Sequence, residues 1–264
     1  MTELRHLQLV ILEIAKDIDK LCRENSIEYF ILGGSAIGAI RHKGFIPWDD
    51  DFDIIMDSKN YARFCKVCRE QLDIEKYYFQ EGEVDWPCLF SKVKLKGTVF
   101  EEPSAYLDES GEKGIFIDIF GMENAPSGKM AQRWQYICAK YLLCYSLLQR
   151  GWGKVSLAKR LMTIAAYPLK IKGLRKFFKR QVEKWNEKDT EYYAYFTGPY
   201  RMNQCFFERK DFADSIDVPF EDAMFPVPVG YDNWLRHIFG DYMTPPPVQD
   251  QVGRHLMGVD FGKY

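Results

Sequence analysis

Leu4, Leu7, Ile11, Ile14, Ile18 and Leu21 recur at three- and four-residue steps, which predicts one amphipathic helix over residues 3–24. The pattern then changes character. Tyr29-Phe30-Ile31-Leu32 is a short β-type run stopped by Gly33-Gly34, and Ser35 to Arg41 can start a short helix, so the order is strand, glycine turn, helix. After Pro47, Phe52 to Met56 reads as a second strand, and Asp57-Ser58 offers an N-cap for a helix to about Leu72. Further strands are expected at Tyr77–Gln80, Leu89–Leu95, Thr98–Glu101 and Ile115–Phe120. Two long helical stretches follow, 127–149 and 156–188, separated by Gly151-Trp152-Gly153. The last third is rich in turns and proline, with one helix near 230–239. This order predicts an α+β fold: a mixed sheet in the first half, packed by helices from both ends of the chain, and a mostly helical second half.

Composition narrows the class without naming a function. At 264 residues, 47% apolar and 28% charged, the chain has ample material for a core, which excludes disorder, collagen and a disulfide mini-protein. Its longest apolar runs, such as Tyr141–Tyr145 and Met162–Tyr167, fall short of the roughly 18–20 residues a membrane span needs. The start, Met1 to His6, shows no basic n-region and no apolar h-region, so the expected location is the cytoplasm. Seven cysteines at irregular spacing suit reduced thiols, and Cys65-x-x-Cys68 has no second pair with which to bind zinc.

The net charge of −2 conceals an asymmetry. Residues 129–184 hold fourteen Lys or Arg against a single acid, Glu183, and interleave them with Trp134, Tyr136, Tyr141, Tyr145, Trp152 and Phe177. Cationic and interfacial aromatic character together fit a surface that meets anionic lipid or a lipid-linked anionic substrate at the inner face of a membrane. A solvated pair of helices that balances the acidic remainder is the alternative. Nucleic acid is not expected as a partner, because no recognisable nucleic-acid module accompanies the charge.

Chemistry concentrates between Phe45 and Asp57, where Asp49, Asp50, Asp51 and Asp53 place four carboxylates in five positions. If the strand begins early, Asp49, Asp51 and Asp53 project together while Phe52 and Ile54 enter the core. Such repulsion calls for a counter-charge, and oxygen-only ligands favour Mg²⁺ or Mn²⁺ over zinc. An acidic surface turn is the alternative, against which Ile54-Ile55 show the chain plunging inward directly after the acids. An EF-hand is excluded by Ile54 where its loop needs glycine and by Asn60 where it needs glutamate. A haloacid-dehalogenase strand fits poorly too, since Ile54-Ile55 replace the small turn residues expected there. Upstream, Gly33-Gly34-Ser35 opens a helix, where free N–H groups and the dipole favour phosphate. A third metal ligand is expected from Asp118, the one acid in the apolar strand Ile115 to Phe120.

The run from Leu32-Gly33-Gly34-Ser35 through Arg41-His42-Lys43-Gly44-Phe45-Ile46-Pro47-Trp48-Asp49-Asp50-Asp51-Phe52-Asp53-Ile54 resembles the signature of the LicD family of the nucleotidyltransferase-fold superfamily, which includes bacterial phosphocholine transferases and relatives of the fukutins. Phe90-Ser91-Lys92-Val93-Lys94, Phe116-Ile117-Asp118-Ile119-Phe120 and Gly240-Asp241-Tyr242-Met243 with Pro245-Pro246 resemble its weaker blocks. The resemblance covers about residues 3–125 and 225–256, and suggests a nucleotidyltransferase-like catalytic core over 1–125, a basic helical region over 126–190 and a C-terminal segment, 191–264, that packs back on the core.

What the resemblance implies is transfer of a phosphorylated alcohol, typically phosphocholine from a CDP-choline donor, to a sugar hydroxyl of a cell-surface glycan such as a teichoic acid or lipopolysaccharide precursor, with CMP leaving. Asp51, Asp53 and Asp118 would then hold the metal, with Asp49 or Asp50 as a supporting ligand or base. Arg41, on the connection between the glycine turn and the acids, and Lys92 are the expected phosphate partners, with His42 and Lys43 nearby. Trp48 could stack on a base or a choline head. A nucleotidyltransferase that releases pyrophosphate, and an inactive membrane-associated binding protein of the same fold, are the competing readings.

Overall fold

The computed structural model describes residues 1–101, 111–150, 161, 164–253 and 256–264. Helix α1, Glu3–Glu24, is capped by Thr2, whose side chain accepts the Arg5 N–H. It buries Leu7, Ile11, Ile14 and Ile18 of the predicted stripe, with Val10 beside them and Leu4 and Leu21 partly buried at its ends, each fully buried side chain contributing roughly 1.5–3 kcal/mol by leaving water. Strand β1 is only Phe30–Ile31, and α2, Gly33–Ile37, runs straight into a π-helical turn, Gly38–His42. Strand β2 spans Asp53–Asp57, so Asp49 to Phe52 precede it and the expected alternation of Asp49, Asp51 and Asp53 along one strand does not occur. Helix α3, Ser58–Gln71, starts where expected, with Asp57 accepting the Asn60 N–H at 2.7 Å.

Strands β3 (Tyr77–Gln80), β4 (Ser91–Leu95), β5 (Val99–Glu101) and β6 (Phe116–Ala125) follow, then α4 (Lys129–Arg150) and α5 (Lys172–Glu183). The expected helix over 156–188 lies partly outside the described residues. Within them it is broken by a 3₁₀ turn, Tyr167–Lys170, where Pro168 cannot continue an α-helix, and Ile171 is extended. The Gly151-Trp152-Gly153 break also lies outside the described residues. The last third adds β7 (Tyr192–Ala194), α6 (Met202–Cys205), β8 (Phe206–Glu208), β9 (Ser215–Phe220), β10 (Ala223–Pro228), α7 (Tyr231–Phe239) and β11 (Gly258–Asp260).

The main sheet runs β1-β2-β6-β4-β3, with β2 and β6 parallel and the other neighbours antiparallel. The mixed α+β class expected from the element order is therefore the class observed. Strand β6 is longer than predicted because its second half leaves β4 and pairs with β7, which pairs in turn with β8. One core lies between α1, the sheet and the β9–β10 hairpin, and a second gathers Ala125, Cys138, Leu142, Leu169, Val182 and Phe206 beneath α4 and α5. All seven cysteines are free and buried, and burial pushes the Cys65, Cys138 and Cys205 thiols up to about 11, which makes them packing residues. Among the described residues no helix is long and apolar enough to cross a membrane.

Candidate active site

The strand register assembles a polar row across an otherwise apolar sheet. Asp53 on β2 stands beside Asp118 on β6, Asp118 beside Lys92 on β4, and Lys92 beside Gln80 on β3. Residues in register share a face, so these four side chains are neighbours across the strands. Lys92 is almost wholly buried, with Nζ 3.6 Å from Asp118 Oδ1 and 3.3 Å from the centroid of the Phe116 ring. The pair holds the two side chains of the row against each other, with Lys92 buried and Asp118 partly exposed.

The glycine turn closes on the end of this row. Leu32 N–H donates to Asp53 O at 2.9 Å, and Asp53 N–H donates to Ser35 Oγ at 3.0 Å. Gly33 adopts φ +58°, and a Cβ there would lie 3.7 Å from Asp53 Oδ2. A Cβ on Gly34 would lie 2.5 Å from Asp49 Oδ2, so the glycine is small in order to admit a carboxylate. The Gly33-Gly34-Ser35 turn and the aspartates expected to act with it thus meet in space, and Ser35 uses its oxygen to latch the turn to β2.

Asp49, Asp50 and Asp51 lie on the irregular stretch before β2, and one oxygen from each falls within 4.8 Å of the others. An all-oxygen set at that spacing fits a hard divalent cation. The expected ligand set was instead Asp51, Asp53 and Asp118; the register joins Asp53 to Asp118, while the three-acid cluster contains Asp51 with Asp49 and Asp50. Asp50 is nearly fully buried and its Oδ2 accepts the Leu256 N–H at 2.8 Å, tying the C-terminal segment across the acid loop. Asp49 is therefore the more open of the two supporting acids.

Arg41 Nη1 donates to Tyr242 O at 2.5 Å and Arg41 Nε to His42 Nε2 at 2.9 Å, so the guanidinium fastens the π-helical turn to the segment after α7. Burial, then the Arg41 charge, holds the His42 imidazole below its usual range; it is neutral, accepts at Nε2 and carries its proton on Nδ1. Trp48 is half-buried and meets the His42 ring edge-on at 6.3 Å.

Several residues that complete the site carry no sequence signal. Gln8 of α1 donates from Nε2 to Ile46 O and Asp49 O, at 3.2 and 2.9 Å, and so holds the acid loop from behind. Glu221, at the tip of the β9–β10 hairpin, pairs with Arg5 and accepts the Phe45 N–H at 3.2 Å. Tyr195 is buried near the acids: burial first, then the charges of Asp53 and Asp118, raise its phenol well above the usual range, which keeps it a proton donor. The Tyr200 ring packs tilted against Tyr195 at 5.8 Å, and its phenol is raised by burial and by Asp53.

Comparison with known proteins points in one direction. Residues 26–141 match the family described as LicD/FKTN/FKRP, nucleotidyltransferase domain. The lipopolysaccharide cholinephosphotransferase LicD of Haemophilus influenzae is 30% identical over 261 residues, which cover 96% of this chain and 96% of that protein. Uncharacterised proteins of Rickettsia typhi and Rickettsia prowazekii are 46% identical over 59 and 46 residues, 22% and 17% of this chain and 19% and 17% of theirs.

Proposed function

The chain belongs to the LicD family, and we propose that it transfers phosphocholine from CDP-choline to a hydroxyl of a cell-surface glycan, a lipopolysaccharide or teichoic acid precursor, with CMP as the leaving group. The observation that carries the reading is the convergence of the Asp53–Asp118–Lys92 row, the Asp49–Asp51 cluster and the Gly33-Gly34 turn at one end of the sheet. The similarity to a cholinephosphotransferase over nearly the whole chain supports it. In the reaction the acceptor oxygen attacks the choline-bearing phosphorus, the bond to the CMP oxygen breaks, and the hydroxyl proton passes to a carboxylate. Asp49, partly exposed where Asp50 is buried, is the carboxylate we assign to that proton.

Asp51, Asp53 and Asp118, with the cluster partners of Asp51, would hold the Mg²⁺ or Mn²⁺. When bound, the metal neutralises the diphosphate and makes the hydroxyl more acidic. Lys92 keeps Asp118 in place and adds positive charge beside the transferring group. Ser35, whose oxygen is already engaged by Asp53 N–H, keeps its hydroxyl proton for the donor's phosphate.

The acceptor is reached at a membrane surface in this proposal. Met130, Trp134 and Ile137 on α4, with Ile171 and Phe177 by α5, are exposed among the basic residues of this region. A thermal-shift series tests the donor: CDP-choline and CMP with Mg²⁺ should stabilise the protein more than CTP or ATP does. Preference for CTP, together with pyrophosphate as product, would favour the nucleotidyltransferase reading. No response to any nucleotide would favour an inactive binding protein.

A further inference from the structure

Between the 83–89 loop and α5 lies an open cleft of about 560 Å³, outside the acid site and within the size range of small-molecule sites. Its basic wall is Lys172, Arg175, Lys176 and Lys179, spaced so that they share one face of α5. The largely buried Trp86 lines the side of the 83–89 loop, and Tyr145 lies against Arg175. Lys179 is matched by Glu83, and the Asp85 carboxylate accepts the Glu81 N–H at 2.7 Å while keeping its charge, so four cations face two carboxylates and the cleft stays net positive. The Arg175 guanidinium is held in place, 5.1 Å from the Tyr145 ring centroid with Nη1 donating to its hydroxyl at 2.7 Å. Lys172 and Lys176 are exposed beside it. Three cations beyond the Lys179 pair, Arg175 among them preset by Tyr145, suit a dianionic phosphate carried on a sugar ring: the guanidinium and ammonium groups bind the phosphate oxygens.

Trp86 links this cleft to the reaction centre. Its ring lines the cleft and also lies 5.5 Å from Lys92 Nζ, the lysine paired with Asp118. We infer that the cleft between the 83–89 loop and α5 binds a phosphate group on the saccharide acceptor and so presents a neighbouring hydroxyl to the aspartates. The acceptor's identity rests on the proposed transfer, while the phosphate site stands on the cleft alone.

The test uses the whole chain and glucose 6-phosphate, with glucose as control, followed by NMR at the Trp86 indole. Glucose 6-phosphate should shift that signal, glucose should bind far more weakly, and Lys172→Gln/Lys176→Gln should weaken the phosphosugar by about tenfold with an unchanged melting temperature. In the transferase assay the same variant should raise KM for a phosphorylated acceptor about tenfold while kcat and KM for CDP-choline hold. Equal binding of both sugars, or unchanged affinity in the variant, overturns the inference. So does a variant that loses binding to phosphatidylglycerol vesicles yet keeps the phosphosugar, since those lysines would then serve lipid headgroups. If the wild type releases no CMP, the proposed transfer fails and the NMR result still decides the cleft.

Discussion

Gly34→Ala separates a glycine needed for its backbone from one needed for its size. A Cβ at this position would stand 2.5 Å from Asp49 Oδ2 and 3.3 Å from its Cγ, where ordinary contacts begin at 3.4 Å. The carboxylate must retreat by about 1 Å, and a displacement of that order at a reacting centre costs about 100-fold in rate. Stability should change little: alanine in place of glycine within α2 gains roughly 0.5–1 kcal/mol, and an off-rotamer Asp49 costs a similar amount. Gly33→Ala is the counterpart, with φ +58° and a Cβ 3.7 Å from Asp53 Oδ2. It should lose about 1–2 kcal/mol from the left-handed backbone while leaving the carboxylates in place. Steady-state CMP release and urea unfolding on both variants provide the assay. The reasoning is refuted if Gly34→Ala keeps turnover within about threefold of wild type, or if the two variants lose activity and stability in proportion.

Three further outcomes follow from the surrounding structure. Lys92→Met removes the ammonium group paired with the partly exposed Asp118 carboxylate and should cost about 1–3 kcal/mol in urea unfolding, with transfer falling as well. Glu221→Ala removes the acceptor of the Phe45 N–H and the partner of Arg5, and should cost about 1–2 kcal/mol and lower activity by loosening the acid loop. Burial pushes the Glu123 carboxyl from 4.5 up to about 7, so the folded state keeps a proton that the unfolded chain releases between those values. Stability should therefore fall as pH rises from 4.5 to about 7, by up to about 3 kcal/mol, and Glu123→Gln should flatten that slope and melt higher at pH 8.

The first half of the fold was legible because its signals are local. The α1 stripe, the Asp57 cap and the strand at Tyr77–Gln80 rest on spacing and neighbouring residues, and each appears at or near the predicted bounds. The β9–β10 hairpin was not legible. Pro219, Pro226 and Pro228 read as loop, yet a two-stranded ribbon tolerates proline where no ladder donor is required, and the two-residue turn at Glu221-Asp222 has no glycine to announce it. At the site, sequence density identified the aspartates, but the adjacency of Asp53, Asp118 and Lys92 is set by strand order, which the sequence does not print. Gln8, Glu221 and Tyr195 act from elements remote in the chain, and isolated polar residues of ordinary type give no spacing to read.

The most direct measurement follows both halves of the donor. CDP-choline labelled in the choline and in the cytidine is incubated with the protein, Mg²⁺ and a lipopolysaccharide or teichoic acid precursor. One CMP should be released for each phosphocholine attached to the glycan, with both products lost on chelation and in Asp53→Asn. Pyrophosphate as the product, free choline, or turnover indifferent to chelator and to Asp53→Asn would contradict the proposed transfer.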